Sequence, residues 1–217
     1  MTGTDERPRP ATQVLSRGET VDGRPFSDPG HTDGDRHRLQ QMVHQLVDTY
    51  DDPVVCDFGP GKRPICQSDP QGRTFRIYYV RSSLLFELTD IAVVGFFGIK
   101  RPDADIRPLV RADKRFEEEF PRHPGLLSLS TVRLPDGNFA NLVLFTDPTA
   151  KDGWNRSPIH RDTVARISPP YYRSIRLSNG TLPDGVSDPT TLRLEKVKYI
   201  DYDDAGGWRA ERSLVAS

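Results

Sequence analysis

The chain has 217 residues, which is enough for one well-filled core or for one core with a small satellite. Lys and Arg number 30 and Asp and Glu number 31, so the chain lacks the basic excess that nucleic acids and anionic membrane surfaces select. Cys56 and Cys66 give no disulfide framework and no apolar run reaches about 18 residues, so we expect a cytoplasmic protein that binds neither nucleic acid nor membrane.

The first part of the chain is predicted to contain a disordered arm, a helix and short strands. Residues 1–35 are rich in Thr, Gly, Asp, Arg and Pro and have almost no apolar spacing, which favours disorder. Asp35 can cap a helix over residues 36–50, in which an apolar stripe recurs at three- and four-residue steps. Strands are expected at residues 54–58, 74–80 and 84–88. Residues 36–89 should therefore pack on the core as a helix with strands.

Residues 90–180 are predicted to form one β-α-β-β-α-β unit, the ferredoxin-like arrangement. Asp136-Gly137 is the centre of a hairpin turn, and Pro169-Pro170 ends the second helical segment. The strands are expected at residues 91–99, 126–134, 139–146 and 171–177, and the helical segments at 106–120 and 147–167. Asn179-Gly180 closes the last strand. Residues 181–217 should form a C-terminal hairpin extension with strands at 191–202 and 208–214.

Three strands of this unit are apolar on both faces, although two helices can cover only one face of its sheet. A second layer must therefore lie against the other face. That layer can be a second copy of the protein, or the part of the same chain between residues 39 and 88. Of these two we favour a homodimer whose sheets pack face to face.

The segment from Trp154 to His160 is the best candidate for chemistry. Ser157-Pro158 is a helix-start signal, which puts His160 in the first turn and on the same face as Val164 and Ile167, pointing inward. A helix N-terminus disfavours a cation, so this imidazole should be neutral near pH 7. A neutral inward imidazole can act as a base, ligate a metal or haem, or donate a hydrogen bond. It can equally be a core residue whose hydrogen bonds are satisfied.

Four features of the chain resemble the dimeric α/β-barrel superfamily. They are the strand order, the His123-Pro124-Gly125 turn, the strand over residues 141–145 and the run Trp154-Asn155-Arg156-Ser157-Pro158-Ile159-His160. The resemblance is to its antibiotic-biosynthesis-monooxygenase-like domains and covers residues 90–178. It implies that two ferredoxin-like sheets pair into a barrel, with a ligand cavity between each sheet and its helices. Members include cofactor-independent oxygenases of polycyclic phenols, haem-degrading enzymes, haem peroxidases of related fold and polyketide cyclases. Residues 1–89 and 181–217 have no counterpart in the minimal domain.

The resemblance leads to three hypotheses about function. The leading one is a small-molecule enzyme like the cofactor-independent monooxygenases, which acts on an apolar aromatic or polyketide-like substrate. The first alternative is a haem protein with His160 as the axial ligand, and the second is a non-catalytic dimeric binding or scaffold protein. On the leading hypothesis the catalytic residues are His160, Trp154 and Asn155. The substrate-binding residues are Asn141, Phe97, Tyr171 and Tyr172, and strand alternation sends one of the two tyrosines to each face.

Overall fold

The computed structural model describes residues 11–50, 57–59, 62–204 and 207–215. Within these ranges a single sheet contains nine strands: β1 (Gln13–Leu15), β2 (Ile65–Ser68), β3 (Thr74–Tyr79), β4 (Ile91–Lys100), β5 (Leu126–Arg133), β6 (Phe139–Phe145), β7 (Tyr172–Leu182), β8 (Arg193–Asp201) and β9 (Arg209–Ser213). The helices are α1 (His31–Tyr50), α2 (Ser82–Glu87), α3 (Arg107–Glu119), α4 (Pro148–Arg156), α5 (Pro158–Asp162) and α6 (Ser168–Tyr171). A π-helical turn, Thr163–Ile167, joins α5 to α6. None of the helices in the described ranges has the length and apolarity to cross a membrane.

The sheet order is β1-β9-β8-β7-β4-β6-β5-β3-β2. Its centre, β7-β4-β6-β5, is antiparallel throughout, and α3 and α4–α6 make the two crossovers. This is the ferredoxin-like β-α-β-β-α-β arrangement, so the predicted α+β fold class is confirmed. The C-terminal hairpin β8–β9 extends the sheet beyond β7, and β2–β3 extends it beyond β5. Pairing with a second copy into a barrel stays a prediction.

The back face of the sheet, to which Val93, Gly95 and Phe97 belong, is covered by α1 of the same chain. The buried side chains of α1 that pack into this core are Leu39, Met42, Val43 and Leu46. Asp35 binds the Arg176 guanidinium with two hydrogen bonds of 2.9 and 2.8 Å, which fixes α1 to β7. The second layer demanded by the two-sided strands is therefore supplied by the N-terminal half. The face-to-face homodimer expected from the sequence would have to displace α1.

Residues 11–35 are ordered, so the prediction of a disordered arm is wrong for them; residues 1–10 lie outside the described residues. Strand β1 pairs in parallel with β9. Phe26 is buried, with its ring edge-on to Tyr199 and Trp208. The buried Arg212 guanidinium donates to the backbone carbonyls of Ser16, Glu19 and Ser27. The arm is thus held by one aromatic anchor and by hydrogen bonds to a distant cation, neither of which produces a periodic apolar pattern.

Other sequence predictions also differ from the structure. Helix α1 begins at His31, so Asp35 lies inside it and does not cap it. Pro169-Pro170 lies inside α6 and does not end the helical segment. Of the strand predicted at residues 84–88, residues 84–87 belong to helix α2, and only Ser82 and Leu85 of that helix are buried. For the strand predicted at 54–58, residues 54–56 lie outside the described residues, and 57–58 are not in a strand. Strand β7 continues through Asn179-Gly180 to Leu182, with a register shift there. A Cβ at Gly180 would lie 2.0 Å from the Arg193 carbonyl oxygen, so the glycine permits a close strand approach rather than ending the strand.

Candidate functional site: a cleft over the front face of the sheet

A cleft of about 1180 Å³ lies between the front face of the sheet, to which Val94 and Phe96 belong, and helices α3 to α6. We call it the front cleft. Val94 and Phe96 are half-buried, whereas Val93, Gly95 and Phe97 on the back face are buried, because the helices leave space above this part of β4. One row of directly paired residues crosses the floor from β8 to β3: Lys198, Leu177, Phe96, Asn141, Thr131 and Arg76. At strand spacings of about 4.8 Å the row is roughly 24 Å long.

Trp154 is the centre of an aromatic cluster in the helical wall of the cleft, and only 8% of its surface is exposed. Its ring stacks on Phe116 at 5.3 Å and lies 6.0 Å from His160 on one side and 5.6 Å from His123 on another. The local sequence sets this arrangement. Ser157 caps α5 by accepting a hydrogen bond from the His160 backbone at 3.3 Å, and its hydroxyl donates to Glu119 of α3 at 2.8 Å. The chain therefore turns sharply between Trp154 and His160 and brings both rings to one wall.

His160 is half-buried and lines the front cleft. Burial lowers the pKa of its imidazole, while a hydrogen bond to the Asn155 backbone and the charge of Glu119 act in the opposite direction. Since burial prevails, the ring is neutral at pH 7 and can accept a proton. The helix N-terminus predicts the same neutral state, but the main cause in the structure is desolvation.

Five of the predicted site residues line the cleft together: Trp154, Asn155, His160, Asn141 and Tyr172. Two others do not. Phe97 lies on the back face, 5.5 Å below the Arg176 guanidinium, and its neighbour Phe96 takes the front position. Tyr171 is the last residue of α6 rather than the first of β7, so strand alternation does not apply to it, and its ring packs edge-on against Tyr172 at 4.7 Å.

Strand β3 supplies cleft residues that the sequence reasoning missed. Arg76 forms an ion pair with Asp113 of α3 at 2.8 Å, and the Tyr78 hydroxyl donates to Glu117 at 2.5 Å. Burial raises the pKa of Tyr78 well above its usual range, so this phenol stays protonated. The signal was present in the sequence, because alternation in residues 74–79 puts Thr74, Arg76 and Tyr78 on one face. Nothing in the sequence, however, indicated that this face lines the cleft.

Comparison with known proteins finds no protein-family model and no curated protein that matches the chain. Among solved structures, one similar chain is a Shewanella oneidensis protein, with 12% identity, a TM-score of 0.39, and coverage of 43% of this chain and 92% of that one. A heme-degrading enzyme from Listeria monocytogenes has 15% identity and a TM-score of 0.35, covering 56% and 80%. A monooxygenase-like protein from Listeria innocua has 15% identity and a TM-score of 0.33, covering 58% and 76%. Similarity at this level assigns the chain to no family.

Proposed function

We propose that the chain is a small-molecule enzyme of the monooxygenase-like kind, which acts without a cofactor on an apolar aromatic or polyketide-like substrate in the front cleft. The observation that carries the proposal is the cleft itself. Apolar side chains such as Leu177 and Phe96 share its floor with polar ones such as Asn141 and Thr131, and a neutral imidazole lies in its wall. Ligand sites in proteins combine apolar surface with polar groups that orient the ligand, and most enclose about 300 to 1,000 Å³, slightly less than this cleft.

The roles follow from position and protonation state. His160 would accept a proton from the substrate, since burial keeps it uncharged at neutral pH. Trp154 and Phe96 would hold a flat ring from the helical wall and from the floor, and the amides of Asn141 and Asn155 would hydrogen-bond its oxygen substituents. A deprotonated, electron-rich aromatic can itself pass electrons to O₂, which is the requirement for oxygenation without a cofactor.

The test is substrate-dependent oxygen uptake with a tricyclic hydroxyanthrone as substrate. We expect uptake in the wild type and a loss of about a hundredfold or more in His160→Gln, the usual contribution of a general base. His44→Gln is the matched control, because His44 is exposed on α1 at the opposite face of the sheet. Equal oxygen uptake by the wild type and His160→Gln would show that the imidazole takes no part in the reaction. Binding without any uptake would favour the non-catalytic alternative.

Haem binding is a second candidate, favoured by the surroundings of His160. A haem-ligating imidazole must be neutral, and its other nitrogen usually donates to a backbone carbonyl or a carboxylate. The lowered pKa of His160 and its hydrogen bond to the Asn155 backbone fit this requirement, and Arg133 and Arg209 line the cleft as partners for propionates. Bound haem would supply oxygen activation at its iron. Titration with hemin tests this candidate. A Soret band that is lost in His160→Ala would support haem binding, and the absence of a Soret band in the wild type would reject it.

A further inference from the structure

The residues that line the front cleft differ in charge from the chain as a whole. They include seven Lys or Arg and two Asp or Glu, whereas the whole chain has a net charge of −1. One of the two carboxylates, Asp113, is neutralised by Arg76, and the other, Glu211, binds Lys196 at 3.3 Å. Among the residues that line the cleft, the positive charges therefore outnumber the negative ones. A cavity of this kind attracts an anion.

Among the cations that line this cleft, Lys151 of α4 has the surroundings that indicate most directly what the cleft could bind. It is half-buried, and its Nζ has one polar partner among the described residues, the neutral Oδ1 of Asn179 at 3.4 Å. The Asn179 amide nitrogen donates to the Leu177 carbonyl at 3.1 Å, which turns the Asn179 oxygen toward the ammonium. A half-buried charge without a counter-ion is unfavourable, so an anionic partner would stabilise it.

Helical spacing connects Lys151 with the proposed reaction site. Trp154 and Asn155 follow it at three and four residues in α4, so all three side chains lie on the face that lines the cleft. One turn of helix rises about 5.4 Å. An anionic group on Lys151 would therefore lie about one aromatic ring's length from the Trp154 indole.

We propose that the natural substrate is an aromatic or polyketide-like carboxylate, and that Lys151 binds its carboxylate group at the β7 end of the front cleft. This inference rests on the proposed function, since it assumes that the cleft binds a small molecule. It adds the substrate's charge and its orientation: carboxylate toward β7, and ring system toward Trp154 and His160. Lys151 would thus determine which substrate binds. It would not be a catalytic residue, since the proton transfer is assigned to His160.

The test compares two probes that share one ring system and differ in charge, 2-naphthoate and 2-naphthamide, by titration calorimetry. The wild type should bind the naphthoate about tenfold more tightly, as expected for a charge-assisted hydrogen bond. Lys151→Met should abolish this preference by weakening the naphthoate alone, and Lys151→Arg should retain it. Lys114→Met is the matched control, because it removes the same charge from an exposed position of α3 outside the cleft lining. Raising the salt concentration should weaken the naphthoate and leave the naphthamide unchanged.

The outcomes separate this inference from the function on which it rests. If both probes bind the wild type equally, or if Lys151→Met retains the preference, the carboxylate site is refuted while the cleft remains a ligand site. If neither probe binds, both proposals fail, because the cleft then takes no aromatic molecule. Thermal unfolding of Lys151→Met and Lys151→Arg serves as the control for folding. Unfolding temperatures equal to that of the wild type would show that a loss of the binding preference is not caused by a loss of folded protein.

Discussion

The packing of α1 on the back of the sheet can be tested through Leu39. This side chain is fully buried, and its two methyl carbons lie 2.6 and 2.9 Å from the point that a Cβ on Gly95 would occupy. Leu→Ala substitutions at buried sites destabilise by about 2.7 to 5.0 kcal/mol, with larger values where the site cannot collapse. Gly95 has no side chain that could move into the vacated space. We therefore expect Leu39→Ala to lower the free energy of unfolding by about 4 kcal/mol.

The assay is equilibrium unfolding in guanidinium chloride, followed by circular dichroism and tryptophan fluorescence at two protein concentrations. Val110→Ala is the control, since Val110 is 45% exposed and its truncation should change the free energy of unfolding by under about 0.5 kcal/mol. A Leu39→Ala effect below about 1 kcal/mol would refute the packing of α1 on β4.

The same measurements test the predicted homodimer. A wild-type unfolding midpoint that rises with protein concentration, together with a light-scattering mass above 24.5 kDa, would indicate a homodimer. A mass of 24.5 kDa at micromolar concentration would refute the predicted homodimer.

Two further predictions concern charge in the folded state. Asp35→Ala should lower the free energy of unfolding by about 3 kcal/mol, because it leaves the Arg176 guanidinium, which is 13% exposed, without its partner. Asp33→Ala, at an exposed pair, should have almost no effect in the same unfolding assay. Burial lowers the pKa of both His123 and His160 from 6.5, so the unfolded chain binds more protons than the folded one just below that pH. Thermal stability should therefore fall as the pH drops below about 6.5, and less steeply in a His123→Gln/His160→Gln double variant; equal slopes would contradict this reasoning.

Several boundaries of the central unit could be predicted because each of them has a local chemical signal. Pro108 falls in the first turn of α3, where its missing N–H is harmless. Gly137 adopts a φ of 78° in the hairpin turn, a conformation that glycine adopts readily. Ser157 ends α4 and caps α5, as its position before Pro158 suggested. Such signals act over a few residues, so they can be interpreted without tertiary information.

The features that escaped prediction depend on contacts distant in sequence or on a face that the pattern does not identify. Strand β4 is apolar along almost its whole length, so nothing in it distinguishes the front residue Phe96 from the back residue Phe97. The short run at residues 84–88 fits a strand or one helical turn equally well, and its packing decides for the helix. The order of residues 11–30 depends on Arg212, far along the chain. Lys151 had no motif around it, and only its closeness to Asn179 distinguishes it.

The parallel pairing of β1 with β9 has a consequence for how the protein reaches its final form on the ribosome. The partner of Gln13 lies almost 200 residues later, at Ala210. At translation rates of about 5 to 20 residues per second, the arm waits roughly 10 to 40 s before β9 leaves the exit tunnel. Until then the carbonyls that Arg212 will bind can pair only with water, and the outer edge of β8 lacks its neighbour. Completion of the sheet is therefore a late event, and a nascent chain stalled before Arg209 should expose both segments to protease.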